Sequence, residues 1–204
     1  MLVASPILRS EKVTLNVKKN FAVTVNVEFH FENTSYFNEA LVFPKNSTIS
    51  YKNFRAYWND IELECTPLNP PDGEYFTLAN ELYSSMIAFK VINDKTSKST
   101  HVIVYEYDSP YWNNYKYDDR KGFYLEYILK TGSLWGKTLR DLSIFVYFEE
   151  PLCLYMEPLT PTYPGKCLND YLWEFKGKNI SLDKDLRLLI QSSTINNKSI
   201  SKIR

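Results

Sequence analysis

Twelve consecutive residues, Phe21 to Glu32, place an apolar side chain at every odd position and a small, polar or charged one at every even position. Phe21, Val23, Val25, Val27, Phe29 and Phe31 form the first set. Ala22, Thr24, Asn26, Glu28, His30 and Glu32 form the second. Alternate side chains of a strand point to opposite faces, whereas a helix would scatter the six apolar residues around its circumference. The segment therefore reads as a long strand with one dry and one wet face.

The rest of the chain repeats this theme. Val13, Leu15 and Val17 make a strand just before, joined through Lys18-Lys19-Asn20 as a hairpin. Ala40 to Phe43 is a short strand that Pro44 ends or leaves at an edge. Residues 53–58 and 61–65 flank Asn59-Asp60, a second hairpin. Thr66 to Asp72 carries three prolines and reads as a loop, the boundary if the chain has two halves. A short helical turn is expected within 74–85, and a strand over Met86 to Ile92. Further strands follow at His101 to Tyr107, Phe123 to Lys130 and Leu142 to Phe148, with shorter ones at Leu152 to Met156, Tyr171 to Phe175 and Leu186 to Ile190. Residues 192–204 are polar and are expected to fray. Many short strands with polar turns and no long helical period predict an all-β fold, an antiparallel β-sandwich. It fills 1–191 either as one unit or as two sandwich-like halves meeting at 66–72.

Composition narrows the function. With 16 Tyr, 12 Phe and 4 Trp, the chain holds too many large apolar groups to stay disordered. Lys plus Arg equals Asp plus Glu at 24 each, which argues against a general nucleic-acid or anionic-membrane binder. No apolar run is long enough for a transmembrane helix. Two His exclude a three-His zinc site, no CxxC is present, and no cofactor or metal is called for. The stretch Met1 to Arg9 lacks a charged segment followed by a long apolar one, so it is not a signal peptide, and the chain reads as a mature form. Of Cys65, Cys153 and Cys167, at most two can pair internally. Cys153 and Cys167 flank a Pro-rich loop and would close it; three buried thiols are the alternative.

The order of several motifs resembles a known pattern. Ser10-Glu11-Lys12-Val13-Thr14-Leu15 is followed by Phe31-Glu32-Asn33-Thr34, then Leu41-Val42-Phe43-Pro44, and much later Tyr127-Ile128-Leu129-Lys130-Thr131-Gly132-Ser133-Leu134-Trp135-Gly136. This resembles a family of exported bacterial proteins defined as a domain of unknown function, with a Y-x-L-x-T-G-x-x-W-x-G motif. The similarity spans about residues 9 to 190, and Thr131-Gly132 with Trp135-Gly136 is its most specific part. The region after Phe43-Pro44 does not match. The resemblance implies an extracytoplasmic location, periplasmic or secreted, with the signal peptide removed. It supplies no catalytic residues.

Two segments stand out as binding candidates. Tyr105 to Tyr127 contains seven Tyr with Trp112 and Phe123, interleaved with Asn and Asp. Ser109 to Gly122 within it reads as a loop. Large rigid rings with polar tips, set among hydrogen-bonding side chains, suit a glycan or a protein partner at the cell envelope. Tyr111, Trp112, Tyr115 and Tyr117 are the candidate contacts; the plainer reading is a loop whose rings are half buried. In the second segment, two of the six Gly fall around Trp135. A tight turn with Trp135 packed under it is favoured there, and a ligand-facing stacking platform is the alternative. Adjacent Glu149 and Glu150 would face opposite ways in a strand, and Asp118 and Asp119 lie in a loop. No pair of facing carboxylates is legible, and the acids read as solvated. His30 and His101 read as surface residues. The expected function is a non-enzymatic envelope-binding protein. The rivals are a carbohydrate-active or other hydrolase, which needs two carboxylates across a cleft with one strongly desolvated, and a purely structural module.

Overall fold

A computed structural model describes residues 6–35, 40–45, 49–71, 74–78, 81–91, 95–112, 122–129, 138–159 and 162–191. Four long strands dominate: β1 (Ile7–Val17), β2 (Ala22–Glu32), β10 (Lys98–Asp108) and β13 (Thr138–Phe148). With β4 (Lys52–Trp58), β5 (Ile61–Leu63), β15 (Lys166–Asn169) and β16 (Leu172–Ser181) they form an eight-stranded sheet in the order β15-β16-β13-β1-β2-β10-β4-β5. Two smaller sheets accompany it. One has the order β11-β12-β17-β14, built from β11 (Tyr111–Trp112), β12 (Gly122–Tyr127), β14 (Met156–Pro158) and β17 (Leu186–Gln191). The other has the order β3-β9-β6, built from β3 (Ala40–Pro44), β6 (Cys65–Leu68) and β9 (Met86–Lys90). A two-stranded ribbon pairs β7 (Phe76–Leu78) with β8 (Glu81–Tyr83).

The alternation of β2 is realised. Val23, Val25, Val27 and Phe31 are buried, and they pack with Val13, Leu15 and Val17 of β1, Ile103 and Tyr105 of β10, and Ile144 and Val146 of β13. Leu125, Leu188 and Ile190 of the four-stranded sheet and Leu41, Phe43 and Phe89 of the three-stranded sheet complete the same cluster. One face of the large sheet is thus covered by two small sheets. Each buried aliphatic or aromatic side chain contributes about 1.5–3 kcal/mol, so this face, not any polar contact, holds the layers together. The cluster takes in Leu63 and Ile87, from either side of residues 66–72.

The hairpins at 18–21 and 59–60 form as expected. Trp58 pairs with Ile61, leaving a two-residue turn in which Asn59 and Asp60 both have positive φ (47° and 66°). That geometry matches the right-handed twist of the strands it joins.

Several expectations are corrected. The sheet is not wholly antiparallel: β1 runs parallel to β13, and its other neighbour, β2, is antiparallel. Residues 74–85 hold the β7–β8 ribbon and not a helical turn. Strands of three residues have too few positions to show a period, and pairing alone defines them. The proline-bearing loop begins after Leu68, because Cys65 to Leu68 pair with β9 on a sheet edge, where Pro67 is tolerated. In place of a strand over Leu152 to Met156, Cys153–Tyr155 forms a 3-10 turn, and pairing starts only at Met156.

Candidate functional site

The Ser109-Pro110 corner carries the chain from the large sheet to the four-stranded one. The Ser109 backbone N–H donates to Phe21 O at 2.9 Å, its hydroxyl donates to Tyr124 O at 2.8 Å, and the Tyr124 N–H donates to Pro110 O at 3.0 Å. Beyond this corner Tyr111 pairs with Phe123 and Trp112 with Gly122. The Tyr111 ring is 44% exposed and stands edge-on to Phe123 at 5.1 Å, and Phe123 stacks on Phe21 at 3.4 Å. An outward ring is thus mounted on a rigid aromatic base. Phe21 adopts φ 60°, a conformation costly for a bulky residue, which the stack on Phe123 holds in place. Tyr115, Tyr117 and Trp135 lie outside the described residues, as do Asp118, Asp119 and the Thr131–Gly136 segment. The other tyrosines of this region do not join an exposed cluster: Tyr105, Tyr107, Tyr124 and Tyr127 are all buried.

Two acids, Glu11 and Glu126, are buried beside the Tyr127 and Tyr124 rings. Glu11 is 2% exposed. Its Oε1 accepts a hydrogen bond from the Tyr127 hydroxyl at 2.7 Å, across the sandwich, while Oε2 is buried without a partner. Burial, opposed in part by the Tyr127 bond, pushes the Glu11 carboxyl up to about 8. The cause of its inward aim is local. Pairing with β2 slips between Leu8 and Ser10, leaving Arg9 as an extra residue, after which Glu11 falls on the same face as Val13, Leu15 and Val17. The signal was present: Glu11 shares the odd parity of its apolar neighbours. Glu11 and Tyr127 also belong to two of the motif segments quoted above, 116 residues apart in sequence. Phe29 and Leu142 are the cross-strand neighbours of Glu11.

A second buried acid, Glu126, accepts from Arg187 Nε at 2.9 Å and from the Tyr124 hydroxyl at 3.3 Å. Burial raises its carboxyl and Arg187 draws it back. His30 is exposed as expected, but His101 is not: it is 3% exposed, packed against Phe29, Trp58 and Phe89. It occupies the inward parity of β10 with Ile103 and Tyr105, and its Nδ1–H donates to Tyr57 O at 2.8 Å. Burial lowers it to about 4, so it is neutral at pH 7.

Cys153 and Cys167 are joined in a disulfide that ties the 3-10 turn to β15. Cys65 is the free cysteine. Among the described residues no three His, Cys, Asp or Glu side chains come together as a metal site, and no helix is long and apolar enough to cross a membrane.

No family model matches the chain, and no curated protein sequence matches it. Its fold does match solved structures. A Legionella pneumophila protein provisionally described as nutrient-binding superposes with a TM-score of 0.66 at 16% identity, over 98% of this chain and 71% of that one. Native yeast LTA4 hydrolase superposes with a TM-score of 0.56 at 10% identity, over 91% of this chain but 29% of the hydrolase. The same hydrolase with Bestatin gives 0.54 over 28% of its length. At such identities the likeness is one of fold. The chain spans less than a third of the hydrolase.

Proposed function

We propose that this chain is a non-enzymatic, exported bacterial protein that binds a glycan or protein partner at the cell envelope through the aromatic segment beginning at Tyr111. The observation that carries the reading is the exposed Tyr111 ring held edge-on by the Phe123–Phe21 stack. A ring fixed in this way presents contact area with little ordering entropy to lose on binding. The Cys153–Cys167 disulfide supports export, since such bridges persist in oxidising compartments. The resemblance to an exported family points the same way. The description of the Legionella protein as nutrient-binding agrees with a binding role.

Binding of the purified chain to isolated peptidoglycan and to envelope glycolipid tests the reading. Tyr111→Ala and Trp112→Ala are expected to weaken capture by about tenfold, as truncation of an aromatic anchor does. Capture unchanged in both variants would overturn the assignment of this segment. Thiol titration of the denatured, unreduced protein tests export separately: protein isolated from its native cells is expected to show one reactive thiol, Cys65, and three would count against it.

A further inference from the structure

A sheet edge offers unpaired backbone N–H and C=O groups to any passing strand, and proteins guard such edges with prolines, charges or very short strands. The small sheets follow this rule. β3 ends at Pro44, β6 holds Pro67 and β14 ends at Pro158, while β11 has two residues and β7 and β8 have three each. β5, one edge of the large sheet, lies among exposed Asp60, Glu62 and Glu64. A second copy laid antiparallel on it about Glu62 would set Asp60 against Glu64 and Glu62 against its own twin. Like charges directly opposite repel, so this edge rejects itself.

β15, the other edge of the large sheet, has the opposite character. With the turn that follows, it reads Lys166-Cys167-Leu168-Asn169-Asp170. Laid antiparallel on a second copy about Leu168, it sets each Lys166 against an Asp170, Cys167 against Asn169, and Leu168 against Leu168. Lys166 and Asp170 are exposed, and neither side chain forms an ion pair within the described residues. Pairing with β16 shifts between Cys167 and Asn169, which leaves Leu168 outside the register and 48% exposed. A lysine and a bulge both guard an edge against foreign strands, but against its own copy this lysine meets an acid and this leucine meets a leucine.

Apolar surface gathers at the same corner. Leu154 is 70% exposed and Tyr171 50%. Leu154 follows Cys153 and Leu168 follows Cys167, and the disulfide sets the two cysteine Cα atoms 5.9 Å apart. Tyr171 lies in the turn between β15 and β16, next to Asp170, whose O accepts from the Cys153 N–H at 2.9 Å. The edge is thus pinned before it meets anything, which lowers the ordering cost of a contact. Exposed apolar groups beside an open, rigid edge mark an interaction surface.

From this we infer that the chain forms a two-fold homodimer through β15, edge to edge, joining two large sheets into one. The Lys166–Asp170 contact then occurs twice, Leu168 sits on the axis, and Leu154 and Tyr171 flank it. The acids around β5 stop the assembly at two. The dimer leaves the Tyr111 segment out of the contact and stands whether or not that segment binds.

Sedimentation velocity of the full chain, from about 1 to about 500 μM, tests this; a small contact of this kind is expected to give a reversible monomer–dimer equilibrium within that range. Lys166→Asp and Asp170→Lys should each weaken dimerisation by about tenfold or more, because each opposes like charges twice per dimer. Combining the two should restore it. Leu168→Lys should abolish it, and Glu62→Lys on β5 should leave it unchanged. All four positions are exposed, so the variants are expected to melt with the parent. A monomer at every concentration, a dimer indifferent to the single charge reversals, or no recovery in the combined variant would overturn the proposal. So would growth beyond two copies, or loss of the dimer in Glu62→Lys.

Discussion

Glu11 shows how one residue sets a pH dependence. Its carboxyl sits at about 8 in the fold against 4.5 in a solvated chain. The folded state therefore holds a proton that the unfolded state releases over that interval. Stability is fully present below about pH 4.5 and is lost as pH rises toward 8, by roughly 4 kcal/mol at pH 8. Glu11→Gln keeps an acceptor for the Tyr127 hydroxyl and cannot ionise. Urea unfolding at pH 5 and pH 8 should show the parent losing stability between them and the variant losing several kcal/mol less. Equal losses would mean that Glu11 is ionised in the fold. The residue was readable as inward from its parity with Val13, Leu15 and Val17. Its lack of a second partner was not, because that depends on Phe29 and Leu142, brought alongside by two different strands.

At the scale of elements, the long strands were legible and the short ones were not. β2 and β13 each put one face in the core and one outside, so the pattern of two is written along them. β7, β8 and β14 have three residues each, and only a neighbouring strand makes them strands. The Asn59-Asp60 turn was legible because few other residue pairs accept positive φ at both positions. Asp60→Gly should stabilise the hairpin by about 0.5–1 kcal/mol, since glycine takes that conformation without a Cβ penalty. A raised denaturation midpoint with unchanged slope would confirm it. The disulfide was one of two open readings. Its closure depends on β15 reaching the 3-10 turn, where the Cys153 N–H also donates to Asp170 O at 2.9 Å. A loop of this size, with Cys153 and Cys167 14 residues apart, is worth about 3 kcal/mol by the chain-entropy model. Cys153→Ser with Cys167→Ser should cost about that much in chemical denaturation, and no loss would mean that the bridge is not closed in solution.

Across the whole molecule Glu11 and His101, both buried, act in opposite senses. His101 is held at about 4 against its ordinary 6.5. The unfolded state binds that proton first, so His101 removes stability as pH falls from 6.5 to about 4, whereas Glu11 removes it as pH rises from 4.5 to about 8. Between 4.5 and 6.5 the two slopes cancel. Thermal unfolding across pH 4 to 9 should give a mildly acidic plateau that falls on its alkaline side. In Glu11→Gln the midpoint should move toward neutral pH, and a parent curve peaking above pH 8 would refute the assignment.

The aromatic segment was visible in composition, yet composition could not sort its rings. Tyr105 and Tyr127 entered the core, while Tyr111 turned outward beside Phe123. The rows on the outer face of the large sheet were also invisible in the linear chain, because Tyr147, Asn16 and Thr24 share a row only through pairing. The sequence by itself determined that this is a β protein, which long strands it uses and which of their faces is dry, because alternation is a property of adjacent residues. The tertiary structure alone decided the parallel seating of β1 on β13, the closure of Cys153 on Cys167, the burial of Glu11 against Tyr127 and the outer rows. Each of those joins residues from separate elements, and long-range pairing leaves no mark on local periodicity.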